Sequence, residues 1–159
     1  MTTEPVIRRA RAADVPALVD LRAQMMRDMG ADTGDESWRA DAAAWYRARL
    51  AEPTRCAAII AEVPGDGVVA CAVGTVDDHA PSPRNPSGLR GEIANVVTFP
   101  AFRRRGLART CVEALLQWFD AETAVRVVRL AATADGEALY RRLGFSEPRD
   151  LILERRMPR

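Results

Sequence analysis

Arg103-Arg104-Arg105-Gly106-Leu107-Ala108 lies between a strand-like run, Glu92 to Thr98, and a helix-like run, Leu107 to Phe119. A strand that turns through a glycine into a helix must pack that helix back onto its sheet, which limits this half of the chain to an α/β arrangement. The charges at the turn are unusual. A helix N-terminus carries roughly half a positive charge and favours acids there by about 0.3–1 kcal/mol each. Here the first turn holds only bases. A bound anion compensates such a turn, with backbone N–H groups and arginines directed at phosphate. Gly106 has no Cβ to obstruct that approach. The turn therefore points to a phosphate-bearing cofactor; a solvated basic face and a local nucleic-acid contact are the alternatives.

The rest of the chain alternates between short strands and helices. Pro5 to Arg9 reads as a strand, and Asp14 as the N-cap of a helix with Pro16 in its first turn. Leu18, Leu21, Met25 and Met29 follow helical spacing up to Gly30, and Ala31 to Glu36 reads as a loop. Ser37 or Asp35 caps a second helix with the stripe Trp38, Ala42, Trp45 and Arg49, closed by Pro53. Cys56 to Val63 and Val68 to Val76 are strands around the hairpin turn Pro64-Gly65-Asp66-Gly67. Asp77 to Arg90 reads as a long polar loop stiffened by three prolines, a kind of segment that is often functional. Gly91 to Thr98 is a strand, and a helix from the arginine turn runs to about Asp120. Val125 to Ala131 is a strand, Gly136 to Leu143 a short helix, and Leu151 to Arg155 a last strand. Three strands joined by hairpins, followed by strand–helix–strand, predict one mixed, mostly antiparallel sheet with helices on both faces. At 159 residues, 1–159 is expected to form a single domain.

Composition removes several classes of function. The net charge is +1, against the strongly basic face expected of a nucleic-acid partner. All 23 basic residues are arginine, which excludes lysine Schiff-base chemistry and the Walker phosphate loop. Cys56, Cys71 and Cys111 show no metal-ligand spacing and read as reduced, packed thiols of a cytoplasmic protein. With His79 the only histidine, neither a zinc site nor a Ser-His-Asp triad is expected, and no metal is assigned. No apolar run is long enough to span a membrane, and the first residues lack an apolar signal core.

Three stretches together resemble the GNAT superfamily of N-acetyltransferases, over nearly the whole chain. Arg103-x-x-Gly106-x-Ala108 looks like its R/Q-x-x-G-x-G/A motif, and Asn95-Val96-Val97-Thr98-Phe99-Pro100 like the strand-then-proline lead-in. Ala138-Leu139-Tyr140-Arg141-Arg142-Leu143-Gly144-Phe145 is similar to the A-x-L-Y-x-x-x-G-F signature, with one residue fewer before the tyrosine. The family often has an asparagine shortly before that tyrosine; here the stretch is Thr133-Ala134-Asp135-Gly136.

The resemblance implies acetyl-CoA as co-substrate and direct transfer to an amine, without a metal. Backbone N–H groups from Arg104 to Ala108, including those of Arg105, Gly106 and Leu107, would hold the pyrophosphate. Arg103, Arg104 or Arg109 would reach phosphate. Val96, Val97 and Thr98 would offer backbone groups to the pantetheine arm, as an added strand does. Tyr140 is the expected general acid. A thiol pKa near 8.5 lies below that of tyrosine, near 10, so the phenol can stabilise a departing sulfur. An amine of pKa about 10.4 is neutral in only about one molecule in 2,500 at pH 7, so a base or a water relay is called for. Glu92 is the first candidate, ahead of Asp135 and Asp78.

Trp38 on the second helix and His79, Arg84 and Asn85 in the long loop are the expected acceptor contacts. The acceptor is expected to be a small-molecule primary amine. A peptide or protein amine is the alternative substrate, and a non-catalytic acyl-CoA-binding regulatory module the alternative role. Dimers are common in folds of this kind, which leaves a homodimer open.

Overall fold

A two-stranded spine, Cys56–Val63 (β2) and Gly67–Asp78 (β3), organises the computed structural model, which describes residues 3–31 and 34–159. The turn between them needs left-handed backbone at Gly65 and Gly67 (φ 90° and 80°), which glycine adopts without strain. Val6–Arg9 (β1) pairs with β2, and Leu89–Thr98 (β4) with β3, all antiparallel. Val128–Leu130 (β5) pairs parallel with β4, so the sheet runs β1-β2-β3-β4-β5.

Side-chain alternation along β2 divides the core in two. Ala57, Ile59, Ala61 and Val63 face Cys111, Val112, Leu115, Trp118 and Phe119 of Leu107–Glu122 (α3). Cys56, Ala58 and Ile60 face Val15, Leu18 and Leu21 of Val15–Asp28 (α1) and Tyr46 of Trp38–Leu50 (α2). The expected architecture, a mixed and mostly antiparallel sheet with helices on both faces, is the one observed. α3 lies very close to the sheet because two strand glycines admit it. A Cβ on Gly74 would come 2.9 Å from Leu115, and one on Gly91 2.6 Å from Phe119. The short helix Glu137–Arg142 (α4) follows β5.

Several sequence expectations change. No strand forms at 151–155, where Leu151, Ile152 and Leu153 are 84%, 62% and 82% exposed. An apolar run becomes a strand only where another strand accepts its hydrogen bonds, and β5 is only three residues long. The expected loop 77–90 is mostly strand. Asp77 pairs with Arg90 and Asp78 with Leu89, and the tip closes as a hairpin with a Ser82–Asn85 bridge. Gly88 fits there because a Cβ would meet the His79 carbonyl oxygen at 1.9 Å. In α2 the buried stripe is Trp38, Ala42, Tyr46 and Leu50, one step round from the expected one, leaving Trp45 41% exposed. Asp14 makes no N-cap bond. Its carboxylate turns back to accept from the Arg11 N–H (2.7 Å) and from Arg8 Nη1 and Nη2 (2.8 and 2.9 Å). Of the expected loop 31–36, Asp32 and Thr33 lie outside the described residues.

Candidate active site

The site grows from an irregularity in β4. Cys71 pairs with Val97 and Val73 with Ala94, so Asn95 and Val96 together oppose Ala72. This is a β-bulge, which bends a strand and re-aims its side chains. Asn95 takes φ 50°, a left-handed conformation that asparagine tolerates better than most residues. Before the bulge, Gly91 and Ile93 face α3. Beyond it, Asn95 and Val97 face α1 and α2.

Asn95 is buried and fully engaged. Its Nδ2 donates to the Tyr46 hydroxyl oxygen (2.7 Å), and its Oδ1 accepts from Arg22 Nη1 (2.6 Å). Its backbone carbonyl accepts from the Cys71 thiol (3.2 Å). Burial is the main cause that raises the Tyr46 phenol above its usual pKa. Asn95 stands in the sequence as a lone amide among apolar strand residues. That was the available signal for the bulge, whereas nothing local marked Arg22 or Tyr46 as its partners.

β5 ends at Leu130, opposite Ile93. From Ala94 to Thr98, β4 therefore has no neighbouring strand on that side among the described residues. The side chains of Val97 and Thr98 are buried and that of Val96 partly so, so these three residues have only backbone to offer a ligand. After a single 3-10 turn, Pro100–Phe102, the chain enters the arginine turn. Arg104 (φ 64°) and Gly106 (φ 74°) are both left-handed. Among the described residues, none of the backbone N–H groups of 104–109 donates a hydrogen bond, and Thr110 is the first to bond back, to Gly106. The space above Gly106 is open, with nothing within 4 Å of where a Cβ would stand. Successive free N–H groups at left-handed backbone ahead of a helix form an anion cradle. No acidic residue occupies the first turn of α3.

The arginines divide their work. Arg103 Nε donates to the Thr98 carbonyl (3.0 Å) and Nη2 to Asp28 (2.6 Å), bracing the turn against the end of α1. Arg109 pairs with Glu113 (2.9 Å), and Arg105 lies over the Phe102 ring. Arg104 alone of the four is exposed without a side-chain partner among the described residues. The phosphate role expected of Arg103 and Arg109 is thus already contested by Asp28 and Glu113. Leu107 is buried in the core, leaving only its N–H for a ligand, while Ala108 is half-buried.

Tyr140 lies on α4, half-buried against Phe145 with ring centroids 6.0 Å apart. Desolvation lifts its pKa above the usual tyrosine value, and its hydroxyl has no hydrogen-bond partner among the described residues. It lines a groove of ≈ 960 Å³ bounded by β5, α4 and residues 143–149. That groove is not lined by Val96–Thr98 or by the arginine turn, so the structure does not itself join Tyr140 to the anion cradle. Glu92 is exposed on the α1/α2 face of β4 without a partner among the described residues. Asp78 and Asp135 are also exposed.

The expected acceptor residues are scattered. His79 and Arg84 are exposed on the hairpin, whose base at Gly88 is eight residues of β4 from Val96, roughly 25 Å of strand. Asn85 is used within the hairpin, its Nδ2 donating to the Leu89 carbonyl (3.1 Å) and its Oδ1 accepting from Ser87 (3.3 Å). Its amide thus helps to hold the turn, with one N–H and one lone pair left over. Trp38 is partly buried at the start of α2, and its Nε1 has no acceptor among the described residues. No group of three or more His, Cys, Asp or Glu able to hold a metal occurs among the described residues.

A strand opened by a bulge, leading into a turn of free N–H groups ahead of a helix, frames the candidate site. The family model described as the acetyltransferase (GNAT) family matches residues 17–145, and the chain belongs to that family. Its general activity is transfer of an acetyl group from acetyl-CoA. The chain is similar in fold to the predicted acetyltransferase of Clostridium acetobutylicum solved with acetyl-CoA, with TM-score 0.83 and 22% identity over 95% of this chain and 96% of that one. It is also similar to a GCN5-related N-acetyltransferase from Ralstonia eutropha, with TM-score 0.80 and 24% identity over 94% and 97% of the two chains. Glucosamine-6-phosphate N-acetyltransferase from Arabidopsis thaliana is a third, with TM-score 0.74 and 16% identity over 95% and 97%. No curated protein matches the chain.

Proposed function

We propose that this chain is an N-acetyltransferase that passes the acetyl group of acetyl-CoA directly to the primary amine of a small molecule. The observation that carries the reading is the unpaired length of β4 from Ala94 to Thr98, which runs into six free N–H groups from Arg104 to Arg109. An extended pantetheine arm pairs with the first, and a pyrophosphate sits on the second. The Clostridium acetobutylicum relative was solved with acetyl-CoA, and the same ligand suits these features here. Arg104 is the side chain best placed to add charge to the phosphates.

In this reading a free amine attacks the thioester carbonyl, forming the new C–N bond while the C–S bond breaks. A backbone N–H near the bulge stabilises the developing oxyanion. Tyr140, kept protonated by burial, hydrogen-bonds the departing thiolate. Glu92, or a water held by it, takes the proton that the amine loses. No metal takes part. Three free, buried cysteines suit a reducing compartment, and the cytoplasm is the proposed location.

The test is amine-dependent release of the free CoA thiol, followed over a panel of small amines and peptides. Turnover that needs the amine, and is faster with small amines than with peptides, is expected. Acetyl-CoA binding with no turnover on any amine would favour a binding module instead.

A further inference from the structure

Arg22 lies on α1, facing the β4 bulge. It is partly buried, and its one hydrogen bond among the described residues is from Nη1 to a neutral amide oxygen, Asn95 Oδ1, at 2.6 Å. No carboxylate lies within ion-pair distance among the described residues. Of the other partly buried arginines, Arg9 pairs with Glu122, while Arg55 has no ion pair among the described residues. Arg8 is paired with Asp14 and Glu62, and Arg39 with Asp20. A guanidinium has five N–H donors in a planar fork. With Nη1 turned to Asn95, the Nε–Nη2 edge remains, the edge that grips a carboxylate through two parallel bonds. A partly desolvated cation with only a neutral partner is electrostatically unfinished, and an anion completes it.

The surface around Arg22 narrows the choice of anion. On the same face of β4, Ala94 and Glu92 are exposed. Glu92 and Asn95 are three residues apart, roughly 10 Å along the strand. The face thus presents a cation at the bulge, a small floor at Ala94 and an acid beyond it. Both charged groups border the open stretch of β4 assigned above to acetyl-CoA. A cation and an acid so near each other along one strand face suit a ligand whose amine and anionic group are only a few bonds apart.

From this arrangement we infer that the acceptor is a small amino carboxylate, such as an amino acid, held by its carboxylate on Arg22 with its amine towards Glu92. The inference rests on the N-acetyltransferase reading and deepens it. Asn95 fixes the fork, and Arg22 is a specificity-determining residue.

The test compares standard amino acids with their primary amides, their decarboxylated amines and O-phosphoethanolamine, using wild type, Arg22→Gln and Arg22→Lys. Wild type should acetylate the best amino acid with kcat/KM about 10–100-fold above its amide and its amine, the scale of charge-assisted hydrogen bonds. Arg22→Gln should bring that ratio to within a few-fold of one, chiefly through KM. Arg22→Lys, which keeps the charge and loses the fork, should fall between. A rise in Tm with acetyl-CoA in both variants shows that they are folded. A wild-type ratio near one, an unchanged ratio in Arg22→Gln, or preference for the phosphate ester overturns the inference. Binding supplies a readout that does not need turnover. N-acetyl amino acids should raise the Tm of wild type more than their amides do, and Arg22→Gln should lose that difference. If no amine is acetylated, the N-acetyltransferase reading fails, and the absence of a differential shift in wild type separately overturns the carboxylate site.

Discussion

Tyr140 holds a half-buried ring against Phe145 and leaves its hydroxyl unpaired. Desolvation raises its pKa, so it keeps its proton across the neutral range. Tyr140→Phe should lower kcat about 10²–10⁴-fold, the range of a positioned acid, with acetyl-CoA affinity little changed. Steady-state kinetics beside a binding titration checks this; an unaltered kcat would mean that the thiolate leaves unaided. Other residue roles were less legible in the sequence. Arg103 reads there as a phosphate ligand, yet its nearest anion is Asp28, 75 positions away. Asn85 reads as a polar group open to an acceptor, and its amide also bonds within the hairpin. Hydrogen-bond partners across the fold decide such roles, and local pattern does not contain them.

Elements were more legible than residues, and the misses have one physical origin. Strands β2, β3 and β4, helix α3 and the parallel β4–β5 pair all follow from periodicity and turn residues. The pattern fails where an element needs a partner that it does not find. Leu151 to Arg155 has the composition of a strand but no ladder to join. Trp45 and Tyr46 are adjacent on α2, and packing on the sheet selects the tyrosine for the core. The glycines of β3 and β4 were legible only as strand residues, while their effect is on the helix above. Gly91→Ala would drive a methyl to 2.6 Å from the Phe119 ring. α3 must then shift, at about 1–3 kcal/mol for overpacking. Chemical denaturation should show that loss, and an unchanged midpoint would mean that α3 sits loosely on the sheet.

At the scale of the whole molecule, Arg8 ties β1 to the entry of α1 through Asp14 and to β2 through Glu62. The Arg8 hydrogen bond is the largest cause that holds the Asp14 carboxyl below its ordinary value of 3.8. A depressed folded-state pKa adds stability above the unfolded value and loses it as the pH falls through the folded one. Thermal stability should therefore decline below about pH 4. Asp14→Asn should cost about 1–3 kcal/mol near neutrality and flatten that acid limb. Equal acid limbs in the two proteins would remove Asp14 from the account.

The proposal that the anion cradle at the start of α3 and the open edge of β4 hold one acetyl-CoA is tested most directly by the Tm of wild type and Gly106→Glu with and without acetyl-CoA. At about 100 times its Kd, a ligand adds about 2.7 kcal/mol to the folded state. Wild type should show a clear rise in Tm. Gly106→Glu places a carboxylate in the open space above the turn, at a left-handed position that costs a side chain roughly 1–2 kcal/mol. It should fold with a lower Tm and show no rise. An equal rise in both proteins, or none in wild type, would contradict the assignment of acetyl-CoA to this turn.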